Sequence, residues 1–88
     1  MTEYSITFKS SAVKEFRRLP TEIKQRLGLV IDELSQNPRP IGIVKLKGND
    51  NLYRVRMGDY RVVYEIDDSA KLIRITRIRH RKDVYRQR

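Results

Sequence analysis

From Leu52 to Ile66 the chain reads LYRVRMGDYRVVYEI, two alternating runs joined by Gly58-Asp59. Side chains of a strand point to opposite faces in turn, so apolar residues at every second position predict two half-buried strands. Gly followed by Asp suits a two-residue hairpin turn with positive φ at its first central position. That turn sets Met57 opposite Tyr60, Val55 opposite Val62 and Tyr53 opposite Tyr64, an apolar face expected to meet a core. On the other face Arg56 lies opposite Arg61, and Arg54 lies opposite Val63. Like charges facing each other across a strand pair are destabilising, so a chain that keeps them is expected to present them to an anion.

The rest of the pattern supplies the partner layer. Tyr4 to Phe8 alternates and predicts a first strand. Ser10 or Ser11 is placed to cap a helix whose apolar stripe is Ala12, Val13, Phe16 and Leu19. Pro20 ends it and suits the first turn of a second helix. That helix runs to about Ser35, with Ile23, Leu27, Val30, Ile31 and Leu34 inward. Gly28 within it is expected to mark a close approach of the two helices, which a short connection sets antiparallel.

Arg39 to Asn51, with Pro40, Gly42 and Gly48, predicts a loop with a short strand at Ile43 to Leu46. Asp67 to Ala70 predicts a turn, and Leu72 to about Arg79 a last strand. The register through that turn sets Tyr64 opposite Ile73 and Val62 opposite Ile75. Arg74, Thr76 and Ile78 then share the arginine face, unless a bulge near Arg77 swaps the later residues. The sum is one α+β domain over residues 1–88, ordered β-α-α-β-β-β, with a twisted antiparallel sheet and an N-terminal helical hairpin on one face. The other face is left to solvent, as antiparallel sheets allow.

Composition narrows what that open face can do. The 88 residues hold 20 Lys and Arg against 11 Asp and Glu, a formal charge of +9, and the pI is about 10.3. This balance favours polyanionic partners. There is no cysteine and one histidine, which excludes disulfides and makes no case for a zinc site. No apolar run approaches the roughly 20 residues of a membrane span, and MTEYSITF lacks the features of a signal peptide. A cytoplasmic protein without a cofactor or metal is expected.

Arginine offers a planar fork that matches phosphate oxygens and stays charged. Several such groups can stabilise the extra charge of a pentacoordinate phosphorus transition state. The same arginines also read as a solvated strand face lying over apolar neighbours. Tyr85, in the basic tail, reads either as a base-stacking ring or as a packing residue. His80 reads as a proton carrier or a solvated side chain. Glu65, Asp67 and Asp68 resemble turn chemistry and not a two-metal site.

The order of YRVRMGDYRVVYEIDD and IRHRKDVYR, with the LP break between helices and the KLKG loop, resembles the RelE/ParE superfamily of type II toxins. It is closest to the RelE branch, the ribosome-dependent mRNA interferases. The resemblance spans nearly the whole chain and implies metal-independent cleavage of mRNA in the ribosomal A site, through attack of a ribose 2′-hydroxyl on the adjacent phosphate. By position it implies catalytic roles for Arg54 and Arg56, where the family often has lysines, and for Arg61, Arg79 or Arg81, and Tyr85. Lys45, Lys47, His80 and Lys82 fall where RNA contacts are expected. The resemblance further implies an acidic antitoxin that wraps the toxin and supplies the contact to operator DNA, and no membrane partner. The gyrase-poisoning ParE branch shares the fold but tends to lack this cationic and tyrosine set. A gyrase inhibitor and a plain basic nucleic-acid-binding module are the alternatives.

Overall fold

The period-two segments assemble into one mixed sheet, seen in a computed structural model that describes residues 3–46, 48 and 51–81. In chain order the elements are β1 (Ser5–Phe8), α1 (Ser10–Arg17), α2 (Thr21–Leu34), β2 (Val44–Lys45), β3 (Leu52–Met57), β4 (Tyr60–Asp67) and β5 (Leu72–His80). The strands lie in the order β1-β5-β4-β3-β2. The α+β class and element order follow the sequence pattern. The sheet is not wholly antiparallel, however: β1 pairs parallel to β5, Ile6 beside Ile73 and Phe8 beside Ile75. The helices between β1 and the rest of the chain provide the long crossover that a parallel pair requires.

The central hairpin adopts the expected register, with Met57, Val55 and Tyr53 opposite Tyr60, Val62 and Tyr64. Gly58 has φ +60°, the left-handed value that glycine adopts without a Cβ penalty. The next hairpin departs from expectation. Its turn occupies residues 68 to 71, because Asp67 Oδ1 accepts the Ala70 N–H at 3.0 Å and Lys71 turns left-handed at φ 54°. Asp67 therefore pairs with Leu72, Ile66 with Ile73 and Tyr64 with Ile75.

A register shift follows between Val63 and Tyr64. Thr76 is the extra residue, and its hydroxyl donates to the Val63 carbonyl at 3.0 Å. Beyond it Val63 faces Arg77, Val62 faces Ile78 and Arg61 faces Arg79. Ile78, expected among the arginines, is instead buried.

The core lies between the sheet and both helices. Ala12 of α1 and Leu27, Ile31 and Leu34 of α2 meet Tyr53, Val55, Val62, Tyr64, Ile66, Ile73, Ile75 and Ile78. Each fully buried aliphatic side chain contributes roughly 1.5–3 kcal/mol. Tyr64 is wholly enclosed, and its hydroxyl donates to the Pro38 carbonyl at 2.8 Å, which meets the demand of a buried phenol. Burial pushes that phenol up to about 12.

Two local expectations fail. Neither serine caps α1: Lys9 holds the N-cap position without a side-chain bond, and the Ser11 hydroxyl donates instead to the Thr76 carbonyl at 3.1 Å. Gly28 marks no close approach, since an added Cβ would meet nothing within 4 Å.

The β4–β5 turn end is tied by one charged network. Arg39 donates through both terminal nitrogens to Asp68, at 3.3 and 2.9 Å, and the Tyr4 hydroxyl donates to the same carboxylate at 2.6 Å. Arg39 also lies over the Tyr53 ring, 5.3 Å from its centroid. The bonds from Arg39, then that from Tyr4, lower the Asp68 carboxyl to about 2. The same contact with Asp68 raises the Tyr4 phenol.

Two outcomes are expected. Ile78→Ala should cost about 2–5 kcal/mol in denaturant unfolding, while the exposed Arg74→Ala should stay within about 0.5 kcal/mol; equal losses would contradict the bulged register. Asp68 has a folded value below the unfolded value of about 3.9. Its stabilisation is therefore complete above that pH and disappears as the pH falls through about 2. Asp68→Asn should lower Tm at neutral pH, and the gap to wild type should close on acidification.

Candidate nucleic-acid interface

Facing residues of neighbouring strands lie on the same side of a sheet. The pairing Arg56–Arg61–Arg79 therefore lays three arginines in one row across β3, β4 and β5. Strands are spaced roughly 5 Å apart, so the row spans roughly 10 Å from β3 to β5. The next row is Arg54–Val63–Arg77, with Val63 as an apolar floor between two cations. By strand parity all five arginines project from the sheet face opposite the core, Arg77 and Arg79 at the edge where α1 reaches them.

The acids are distributed unevenly across this face. In the following row Arg74 approaches Glu65 at 4.0 Å. Glu15 of α1 reaches Arg77 at 3.2 Å and Arg79 at 4.0 Å. Among the described residues no ion pair or hydrogen bond engages the side chains of Arg54, Arg56 or Arg61. Arg54 Nε is moreover shut off from solvent without an acceptor, an arrangement that ordinarily costs about 1–3 kcal/mol. Arg54, Arg56 and Arg61 thus present guanidinium charge that no carboxylate among the described residues offsets.

The remaining sequence candidates separate. Arg81 follows β5 and is tied to the Gly58-Asp59 turn: its N–H donates to the Asp59 carbonyl at 2.7 Å, and its guanidinium lies 3.8 Å from Asp59 Oδ1. It lies two residues past Arg79, beside the turn and outside the row. His80 faces Tyr60, in edge contact at 4.8 Å between ring centroids. Both are on the helix side, so His80 lies apart from the arginine rows. Lys45 is exposed on β2, beside Tyr53 of β3. Lys47, Lys82 and Tyr85 lie outside the described residues.

Arg77 and Glu15 are the members that the alternation did not reveal. The available signal was the spacing of Ile73, Ile75 and Ile78, two residues and then three, which breaks strand parity near Arg77.

No group of three or more His, Cys, Asp or Glu among the described residues could hold a metal ion. Guanidinium stays protonated, with a pKa above about 12, and does not take up a proton at neutral pH. What the rows supply is fixed positive charge and paired donors for phosphate oxygens.

Comparisons with known proteins bear on the chain as a whole. A family model described as the ParE toxin of type II toxin–antitoxin system, parDE, matches residues 6–85. The RelE3 toxin of Methanocaldococcus jannaschii is 34% identical over 84 residues, covering 91% of this chain and 93% of the relative. The mRNA interferase toxin RelE of Escherichia coli is 29% identical, over 93% of this chain and 90% of its own. Among solved structures, the archaeal RelE–RelB complex from Pyrococcus horikoshii matches with a TM-score of 0.80 at 34% identity, covering 92% of this chain and 97% of that one.

Because Arg61 faces Arg56 and neither has a carboxylate partner among the described residues, Arg61→Ala should leave Tm unchanged or raise it by relieving repulsion. The slope of log affinity for RNA against log salt should become shallower by about one. A large loss of Tm would show instead that Arg61 is structural.

Proposed function

Since the chain belongs to the ParE/RelE family of type II toxins, we propose that it is a metal-independent endoribonuclease that cleaves mRNA on the ribosome. It acts in the cytoplasm, where no helix of the described residues is long and apolar enough to hold it in a membrane. The observation that carries this reading is the Arg56–Arg61–Arg79 row, of which Arg56 and Arg61 have no carboxylate partner among the described residues.

The reaction asks little beyond charge and position. The 2′-oxygen of one ribose bonds to the adjacent phosphorus, and the bond to the 5′-oxygen of the next nucleotide breaks. A 2′,3′-cyclic phosphate and a 5′-hydroxyl result. As the phosphorane forms, its equatorial oxygens gain charge, which Arg61 and its row neighbours meet with guanidinium donors. Arg54, one row back, engages the neighbouring phosphate. Tyr85 is the candidate for stacking on a base. The proton of the 2′-hydroxyl passes to a base other than these arginines, and the departing 5′-oxygen takes up one proton, so that none is gained or lost overall.

Relatives bearing RelE names occur in complexes with RelB. By the same token this chain is neutralised by an antitoxin, an acidic segment suited to a domain of charge +9. The operator DNA of the pair is contacted through that antitoxin.

Induced expression should arrest growth, and Arg56→Ala with Arg61→Ala should abolish the arrest. Primer extension on mRNA from induced cells should show new 5′ ends with wild type only. Each single change should slow single-turnover cleavage on programmed ribosomes by about 10²–10³-fold. The matching family model is named for ParE, which gives the rival result a definite form. Arrest with intact mRNA and a DNA-damage response would replace the ribonuclease reading with gyrase inhibition.

A further inference from the structure

The strand β1 covers the edge of β5 only as far as Ile75, its partner being Phe8. Beyond that point the β5 edge is met by α1. Ser11 and Glu15 are four residues apart, so they share one side of that helix. The Ser11 hydroxyl donates to the carbonyl of the bulged Thr76 at 3.1 Å. Glu15 uses both of its oxygens. Oε1 accepts the backbone N–H of Ile78 at 2.7 Å, and Oε2 accepts Arg77 Nε at 3.2 Å and lies 4.0 Å from Arg79 Nε.

The consequences of this single carboxylate reach the arginine row. Without the extra residue at Thr76, strand parity would turn Arg77 and Arg79 toward the core and Ile78 outward. With it, Arg79 joins Arg61. Glu15 holds the backbone N–H of Ile78, two residues past the bulged Thr76, and approaches the neighbouring guanidinium groups on their Nε side. Arg79 is only 20% exposed along its side chain and Glu15 only 22%, so the pair is little screened by solvent.

We propose that Glu15 is a positioning residue for the reaction, orienting Arg79 toward the phosphate held by Arg61. This role rests on the ribonuclease reading above, and wild-type cleavage is its internal control. Glu15→Gln separates the two duties of the side chain. The amide oxygen still accepts from Ile78, while the amide nitrogen cannot accept from arginine.

The expected result is a Tm close to wild type and unchanged affinity of programmed ribosomes carrying a non-cleavable 2′-O-methyl mRNA. Single-turnover cleavage should nevertheless slow by up to about 100-fold, the scale of a misplacement of about 1 Å. In an Arg79→Ala background the same change should alter the rate by no more than about twofold, because the path through Arg79 is already gone. Wild-type rates in Glu15→Gln, or equal rate losses with and without Arg79, would overturn the proposal. Absence of cleavage by wild type would overturn the ribonuclease reading itself. If Glu15→Gln melts far below wild type, the Nε–H resonances of Arg77 and Arg79 in the wild-type protein decide. Protection from exchange supports the carboxylate hold, and exchange at the rate of exposed arginines overturns it.

Discussion

The architecture turns on strand parity and its single interruption. A strand five or more residues long must commit alternate side chains to one face. β5 carries two sets that an unbroken alternation cannot satisfy together: Ile73, Ile75 and Ile78, all buried, and Arg77 and Arg79, both on the open face. One additional residue, Thr76, resolves the conflict. Before it the strand builds core against Tyr64 and Ile66, and after it the strand contributes both to the core through Ile78 and to the cationic face. A bulge re-aims side chains in this way and tends to occur next to functional sites.

The acids of the molecule make the asymmetry of the two sheet ends intelligible. At the turn end, Asp68 collects Arg39 and Tyr4, and its lowered pKa reflects a carboxylate well supplied with donors. That network fastens the segment after α2 to the β4–β5 turn and the start of β1. At the opposite end of β4 no comparable carboxylate reaches Arg56 or Arg61 among the described residues. Charge is neutralised where the chain needs a fastening and left bare where a polyanion can lie. The excess of basic residues is thus partly a local matter of where acids were placed, and not only a diffuse field.

Most of this fold was legible before any coordinates. The hairpin from Leu52 to Ile66 could be read residue by residue because a two-residue Gly-Asp turn leaves no freedom in register. It gave the Arg56–Arg61 pair directly. Both helices followed from their apolar stripes. The parallel placement of β1 was not legible, since a four-residue strand has no local feature that says which edge it joins. The register of β4 with β5 was missed because Asp67 acts as the turn's side-chain acceptor while still paired in the strand. Glu15 was invisible for a different reason: its importance comes from tertiary contact with a strand 62 residues further on. Local pattern carries no information about such a partner.

The openness of the site bears on how the reaction can be specific. The arginine rows lie on a partly exposed sheet face, and guanidinium groups recognise phosphates without regard to base sequence. Such a surface binds any RNA backbone in a salt-dependent manner. It has few means of fixing the 2′-oxygen in line with the bond to be broken, and correct alignment accounts for a large part of the barrier in reactions of this type. The missing order must then come from outside the toxin. In the ribonuclease reading proposed above, the ribosome supplies it by positioning the mRNA, leaving the protein to contribute charge at the phosphorus. A small domain with arginines that no carboxylate among the described residues neutralises is physically sufficient for that share of the work, and the same arginines suit it to an acidic partner.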